Sequence, residues 1–197
     1  MDEILFRISV AIVLFGSSAI SIYYRRKANL DTGETVSTEE ENKIVFLTIR
    51  LSALAAVLSM LTYLLSPSWM NWSKMGLLEP IRWVGVMIGF IFVGLCYWVF
   101  SSIGDSITTT VATRHEAKLI TSGPYRWVRH PLYIVGLGTF GSIGVIADNW
   151  FIAGLIVLIF ITLIIRTKDE EEHLIAKFGD EYREYMKRTG LFIPKFF

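Results

Sequence analysis

The stretch 123-GPYRWVRHPLY-133 sets two arginines and a histidine directly in front of an apolar run that begins at Leu132. Charge beside lipid is costly unless it is solvated or used. Pro131 suits the first turn of a helix, so the stretch reads as the entry of a membrane-spanning helix with its charges at the interface. Outward from it, the same alternation recurs. Of 197 residues 53% are hydrophobic, and the 19% that are charged gather in islands between long uncharged runs. That pattern predicts an all-α, polytopic membrane protein, read as a single integral membrane domain over 1–197.

Five spans are expected, near Ile4–Tyr24, Ile44–Leu65, Ile81–Ile103, Leu132–Ala147 and Trp150–Ile165. The first three fill the half 1–101, and the last two belong to 102–197. The last two are short against the roughly 20 residues that a bilayer core takes. Only Asp148-Asn149 separates them, a turn pair that predicts a tight helical hairpin. Flanking helix around Arg129 and Arg166 is expected to supply the missing length. The acidic start Met1-Asp2-Glu3 lacks the form of a secretory signal, so the first span is read as retained helix.

Lys and Arg orient the chain. They gather after span one (Arg25, Arg26, Lys27, Lys43), before span four (Arg114, Lys118, Arg126, Arg129) and after span five. Between spans two and three there is Lys74, with Arg82 at the edge. The positive-inside rule then puts the C-terminus in the cytoplasm and the N-terminus outside. Ser17 and Ser21, Ser52 and Ala56, and Gly138 and Ser142 have the spacing of tight helix contacts in lipid. Arg7 is near a span end and is read as snorkelling. Arg50 lies deeper, read the same way with a ligand contact as the alternative.

Other chemistries are excluded by what is missing. No basic stripe points to nucleic acid. The single cysteine, Cys96, rules out disulfide frameworks and reads as a small buried hydrophobe. His115, His130 and His173 lack zinc-ligand spacing, so no metal is expected. Gly136, Gly138 and Gly141 follow no strand and form no dinucleotide fingerprint, and no serine sits in a nucleophile elbow.

Arg166 and Glu170 share a helical face at the end of span five, as do Thr167 and Glu171. Hairpin partners have neighbouring ends, so Arg129, His130, Tyr133, Arg166, Glu170 and Glu171 should converge at one interface. Charge assembled beside an apolar bundle points to a ligand. Downstream, Leu174, Ile175, Phe178, Tyr182, Tyr185 and Met186 recur at helical spacing and predict an amphipathic segment. Gly179 interrupts it, which suggests a bend.

At these residues the chain resembles a known family. The segments 119-LITSGPYRWVRHPLY-133 and 170-EEEHLIAKFGDEYREYMKRT-189 resemble the isoprenylcysteine carboxyl methyltransferases, over about residues 100–194. The resemblance implies an S-adenosylmethionine-dependent membrane methyltransferase whose helical cytoplasmic C-terminal segment closes the cofactor pocket. Carried over by motif position, Lys118, Leu119, Ile120, Tyr125, His130, Pro131, Leu132 and Tyr133 would line that pocket. Glu170 would hold a polar group of the cofactor, Arg166 would face the substrate, and Arg129 would orient the acceptor. Arg129, Arg166 and Glu170 form the implied catalytic set. The sequence departs from the family at Ala117, where a histidine is common, and at Gly104-Asp105-Ser106-Ile107, where Asn-Trp is frequent.

The implied acceptor is lipophilic and comes from the bilayer, with the carboxylate of a prenylated cysteine as the leading expectation. A sulfonium methyl is already activated, so positioning matters more than acid–base chemistry. A carboxylate is ionised at neutral pH and needs no base. The alternatives are methylation of a phospholipid amine or a thiol and, from another class, a non-catalytic membrane scaffold or small transporter.

Overall fold

The computed structural model describes residues 2–32, 42–104 and 119–195. Lys118, expected at the pocket, lies outside the described residues, as do His115 and Ala117. The architecture is an all-helical bundle of the polytopic membrane kind: α1 (Asp2–Thr32), α2 (Lys43–Leu65), α3 (Glu79–Ile103), α4 (Pro131–Ile146), α5 (Trp150–Phe178) and α6 (Asp180–Arg188), with short 3-10 turns at Pro67–Ser73 and Gly123–Arg126. Four of these helices, α1, α2, α3 and α5, are long and apolar enough to cross a membrane, and α4 is shorter. The chain is therefore an integral membrane protein.

α4 has 16 residues, about 24 Å of helix at 1.5 Å per residue, and it is wrapped by α1, α3 and α5. The helix expected around Arg129 does not form. Pro131 takes the first helical position, and its ring disfavours helical backbone at the residue before it, so His130 stands at φ −119, ψ 57. The 127–130 segment instead turns at Trp127 and runs on as irregular backbone. Its backbone groups bond to the tail: Arg129 N–H to Gly190 O at 2.9 Å, His130 N–H to Leu191 O at 3.2 Å, and Gly190 N–H to Trp127 O at 3.1 Å. Irregular backbone near lipid survives only where such partners satisfy it. On the other side of the hairpin the expectation holds, because α5 continues as helix through Arg166 to Phe178.

The α4–α5 turn is built by its two predicted residues. Asp148 adopts φ 52 and its carboxylate accepts the Leu77 N–H at 2.8 Å. Asn149 caps α5 by accepting the Ile152 N–H at 3.0 Å and donates to Ser73 Oγ at 2.6 Å. Gly144 lets the two helices touch, since a Cβ there would lie 2.9 Å from Ala153 Cα. Ile143, Ile146 and Ile152 pack with Phe6, Val10, Val13 and Met60 in the main core.

Arg7 does more than snorkel. Its guanidinium bonds the Leu64 and Leu65 carbonyls, which the end of α2 leaves without intrahelical partners. At the same end Arg82 pairs with Glu3 at 2.9 Å, and both bond the Tyr63 hydroxyl. Arg50 is exposed and lies over the Phe46 ring, 5.0 Å from its centroid. Ser52 and Ala56 are buried, as packing residues should be. Ser17 and Ser21 instead border an internal cavity at the opposite end of the bundle.

Candidate functional site

The chemistry-bearing residues gather where α4 begins, α5 leaves the apolar bundle and the tail folds back. Arg166 and Glu170 are one turn apart on α5, with Nε 3.0 Å from Oε1, and both are largely buried. The Tyr133 hydroxyl donates to the same Glu170 oxygen at 2.5 Å. His130 stands between two carboxylates, Nδ1 3.5 Å from Glu170 and Nε2 3.6 Å from Glu171. Its ring stacks on Tyr133 at 5.4 Å between centroids. Phe192 from the tail packs against both rings. The expected convergence of Arg129, His130, Tyr133, Arg166, Glu170 and Glu171 is therefore present in the structure.

Arg129 is committed to the tail. Its Nε pairs with Glu171 at 2.5 Å, and Nη1 donates to Thr189 O at 2.6 Å and Met186 O at 3.3 Å. Only 9% of its side chain is exposed. Such a charge needs its full set of partners, and here they come from α5 and the C-terminal end of α6. The tail itself turns at Gly179, whose φ of 58 ends α5 and starts α6 in a new direction. Tyr185 then reaches across to donate to Tyr125 O at 2.6 Å. Burial pushes the Tyr185 phenol up to about 12. Burial likewise pushes Tyr125 and Tyr182 upward, the latter helped by nearby Glu171. All three stay protonated at neutral pH, and Tyr182 and Tyr185 act as donors.

A cavity of about 600 Å³ opens between α1, α3, α4, α5 and α6, within the range of small-molecule sites. Of the residues expected there, Leu119, Ile120, Tyr125, Arg129, His130, Pro131, Leu132, Tyr133, Arg166 and Glu170 all border it. Leu174, Phe178, Tyr182 and Tyr185 form the wall contributed by the end of α5 and by α6. Among the described residues no group of three or more His, Cys, Asp or Glu could hold a metal ion.

Sequence reasoning placed Glu171 in the cluster without giving it a role; it links Arg129, His130 and, at 3.4 Å, the Tyr182 hydroxyl. Two parts of the site were missed. Phe192 carried no periodic signal. The α1 wall, with Ser18, Ser21 and Arg25, looked like ordinary helix packing; the four-residue spacing of Ser21 and Arg25 was its one visible sign.

Residues 85–176 match the isoprenylcysteine carboxyl methyltransferase (ICMT) family. Among similar proteins is the nickel-cobalt-cadmium resistance protein NccN of Alcaligenes xylosoxydans xylosoxydans, 28% identical over 43% of this chain and 40% of that one. Another is methanethiol S-methyltransferase 1 of Bradyrhizobium diazoefficiens, 36% identical over 36% of this chain and 24% of that one. The matches thus span less than half of either relative's length. A solved structure of the eukaryotic intramembrane Ras methyltransferase ICMT superposes with a TM-score of 0.55 at 18% identity, over 94% of this chain and 67% of that chain. At that identity the likeness is one of fold.

Proposed function

The chain is an ICMT-like integral membrane protein, and on that premise we propose that it is an S-adenosylmethionine-dependent methyltransferase acting on a lipophilic acceptor, foremost a carboxylate such as that of a prenylated cysteine. The observation that carries the reading is the Arg166–Glu170–Tyr133–His130 cluster on one large cavity where an apolar bundle meets a polar tail. A water-soluble cation and a bilayer-borne anion would meet at such a place. The cytoplasmic side is the proposed location of this end, from the Lys and Arg distribution.

The residues fit the cofactor. The cavity volume suits a molecule of its size. Glu170 offers a buried carboxylate to a cationic or amino group, and Leu132, Tyr133 and Phe178 offer apolar and aromatic surface. Nε2 of His130 is buried with no hydrogen-bond partner among the described residues, a group that a ligand could satisfy. Bound there, S-adenosylmethionine supplies a methyl group already activated on a sulfonium.

The chain's own work is then to hold and to exclude. Tyr133 fixes one Glu170 oxygen by donating to it, and Arg166 aims the same carboxylate. Arg166 also presents its guanidinium to an acceptor carboxylate, whose second oxygen is left to react. Arg129 acts through the tail: by holding 186–189 it keeps α6 over the cavity and water out. Positioning of this kind can supply several kcal/mol of a barrier.

The test is saturable binding of radiolabelled S-adenosylmethionine to the detergent-solubilised protein. Methyl transfer to a farnesylcysteine analogue, a phospholipid amine and a thiol follows. Absence of saturable binding refutes the reading and favours a scaffold. A thiol acceptor is the second reading. It is supported by the likeness to a methanethiol S-methyltransferase and by His130, placed between two carboxylates, where it could take the proton that a thiol must lose.

A further inference from the structure

The cavity reaches well past the charged cluster. On α4 it is bordered by one helical face, Leu132, Val135, Gly136, Thr139 and Phe140. Thr139 stands eight residues beyond Pro131, about 12 Å further into the apolar bundle. Packing fixes what lies at each level. α4 meets α5 where Gly144 touches Ala153, and Pro131 and Arg166 each lie thirteen residues from that contact, so they stand side by side. A Cβ at Gly89 would lie 2.9 Å from both Ser142 Oγ and Val13 Cγ2, which sets Val13 beside Ser142. One turn toward the cavity from each of these are Ser17 and Thr139, both buried and both bordering it.

Two observations point to a ligand at this depth. Thr139 is 1% exposed, and its Oγ1 has no hydrogen-bond partner among the described residues. Elsewhere in these helices the buried hydroxyls of Ser17, Thr162 and Thr167 donate to the carbonyl four residues back, which is how a helix disposes of such a group. Thr139 makes no such bond. One turn nearer the charged cluster, Gly136 borders the cavity, and a Cβ there would meet no packed neighbour within 4 Å. Glycine is unfavourable inside a helix, and no close packing demands it here. Its effect is to keep open a passage from Arg166 and Glu170 to Thr139.

The chemistry of the deep end is narrow. Among the described residues, the charged ones that border the cavity, Arg25, Arg129, Arg166 and Glu170, lie at the other end. An ion beside Thr139 would therefore be buried without a counter-charge. A plain hydrocarbon would leave the Thr139 hydroxyl unsatisfied. An uncharged oxygen answers it, because a threonine hydroxyl can both donate and accept.

We propose that this deep end is a subsite for an uncharged oxygen, hydroxyl or carbonyl, carried by the acceptor about 12 Å from its reacting end, with Thr139 as the specificity-determining residue. The inference rests on the methyl-transfer reading for the role of the ligand and deepens it. The substrate class becomes oxygenated lipophiles, as opposed to molecules with a purely hydrocarbon chain.

The experiment measures equilibrium binding of two probes that share head and chain, dodecanoic acid and 12-hydroxydodecanoic acid, to the detergent-solubilised protein. Each value is corrected for partition into protein-free micelles. The unaltered protein should bind the hydroxy acid about tenfold more tightly. Thr139→Val keeps the shape and removes the hydroxyl, so it should erase that preference and leave dodecanoic acid binding within about twofold. Thr139→Ser should retain most of the preference. Gly136→Leu should weaken both probes by narrowing the passage, and unchanged binding in that variant overturns the proposal. Equal binding of the two probes by the unaltered protein overturns it as well, since a water would then suffice for Thr139. So does a preference undiminished in Thr139→Val, or an equal loss of both probes there, the mark of a packing role. A loss in that variant confined to S-adenosylmethionine affinity has the same force, because the hydroxyl would then meet the donor. Each of those results leaves methyl transfer standing. Discrimination between the probes by a protein that binds no S-adenosylmethionine would do the opposite, keeping the subsite and removing methyl transfer.

Discussion

Glu171 shows how one carboxylate can hold a site together without facing its ligand. It accepts from Arg129, lies beside His130 and meets the Tyr182 hydroxyl. Removing it leaves a guanidinium that is only 9% exposed without its counter-charge. Breaking one side of such a pair costs roughly 3 kcal/mol. Glu171→Ala should therefore lower the thermal unfolding midpoint in detergent by several degrees, and Glu171→Gln should lower it less. The neighbouring turn separates roles differently. Arg166→Ala should raise the KM for the acceptor about tenfold or more while S-adenosylmethionine still binds, and Glu170→Ala should do the reverse. Equal loss of donor affinity in both variants would remove that division of labour.

Between helices, contact distance decides. Gly144 sits against the Ala153 backbone, and a larger side chain there must push α4 and α5 apart. Gly144→Leu should destabilise the protein by about 3 kcal/mol, the upper range for overpacking, read as a lowered unfolding midpoint. The tail supplies a second test. Ending the chain after Gly179 removes Tyr182, Tyr185 and the partners of 127–130, and with them one wall of the cavity. Alkylation of Cys96, buried on that cavity, should then accelerate markedly, and donor binding should be lost. An unchanged alkylation rate would mean that the tail covers nothing. These elements were unequally legible in the sequence. Asp148-Asn149 announced the hairpin because turn chemistry is local. The start of α4 was misjudged because the irregular backbone there depends on Gly190 and Leu191, about 60 residues away in sequence. The α1 wall was invisible for a related reason: a serine at helical spacing defines a face, but not whether another helix or a cavity stands opposite.

Across the whole molecule, one end of the bundle is a closed ionic network and the other holds the cavity. Glu3, Arg82 and Tyr63 tie α1, α2 and α3 at the first end, while Arg129, Glu170 and Glu171 serve the second. The cytoplasmic location proposed for the cavity end, from the Lys and Arg distribution, can be tested directly. In a Cys96→Ala background, a cysteine at Lys187 should label only from the cytoplasmic side and one at Trp69 only from the outer side; both are exposed. Labelling in the opposite sense would invert the topology. The pairing of 127–130 with 189–191 also has a meaning in time. A ribosome adding about 5–20 residues per second delivers Gly190 roughly 3–12 s after Arg129. Until then the segment before α4 lacks the amide and carbonyl partners of the tail, and Arg129 lacks Thr189, although Glu171, 42 residues on, has been added before the interval ends. The order of synthesis thus makes the tail the last part of the cavity wall to arrive.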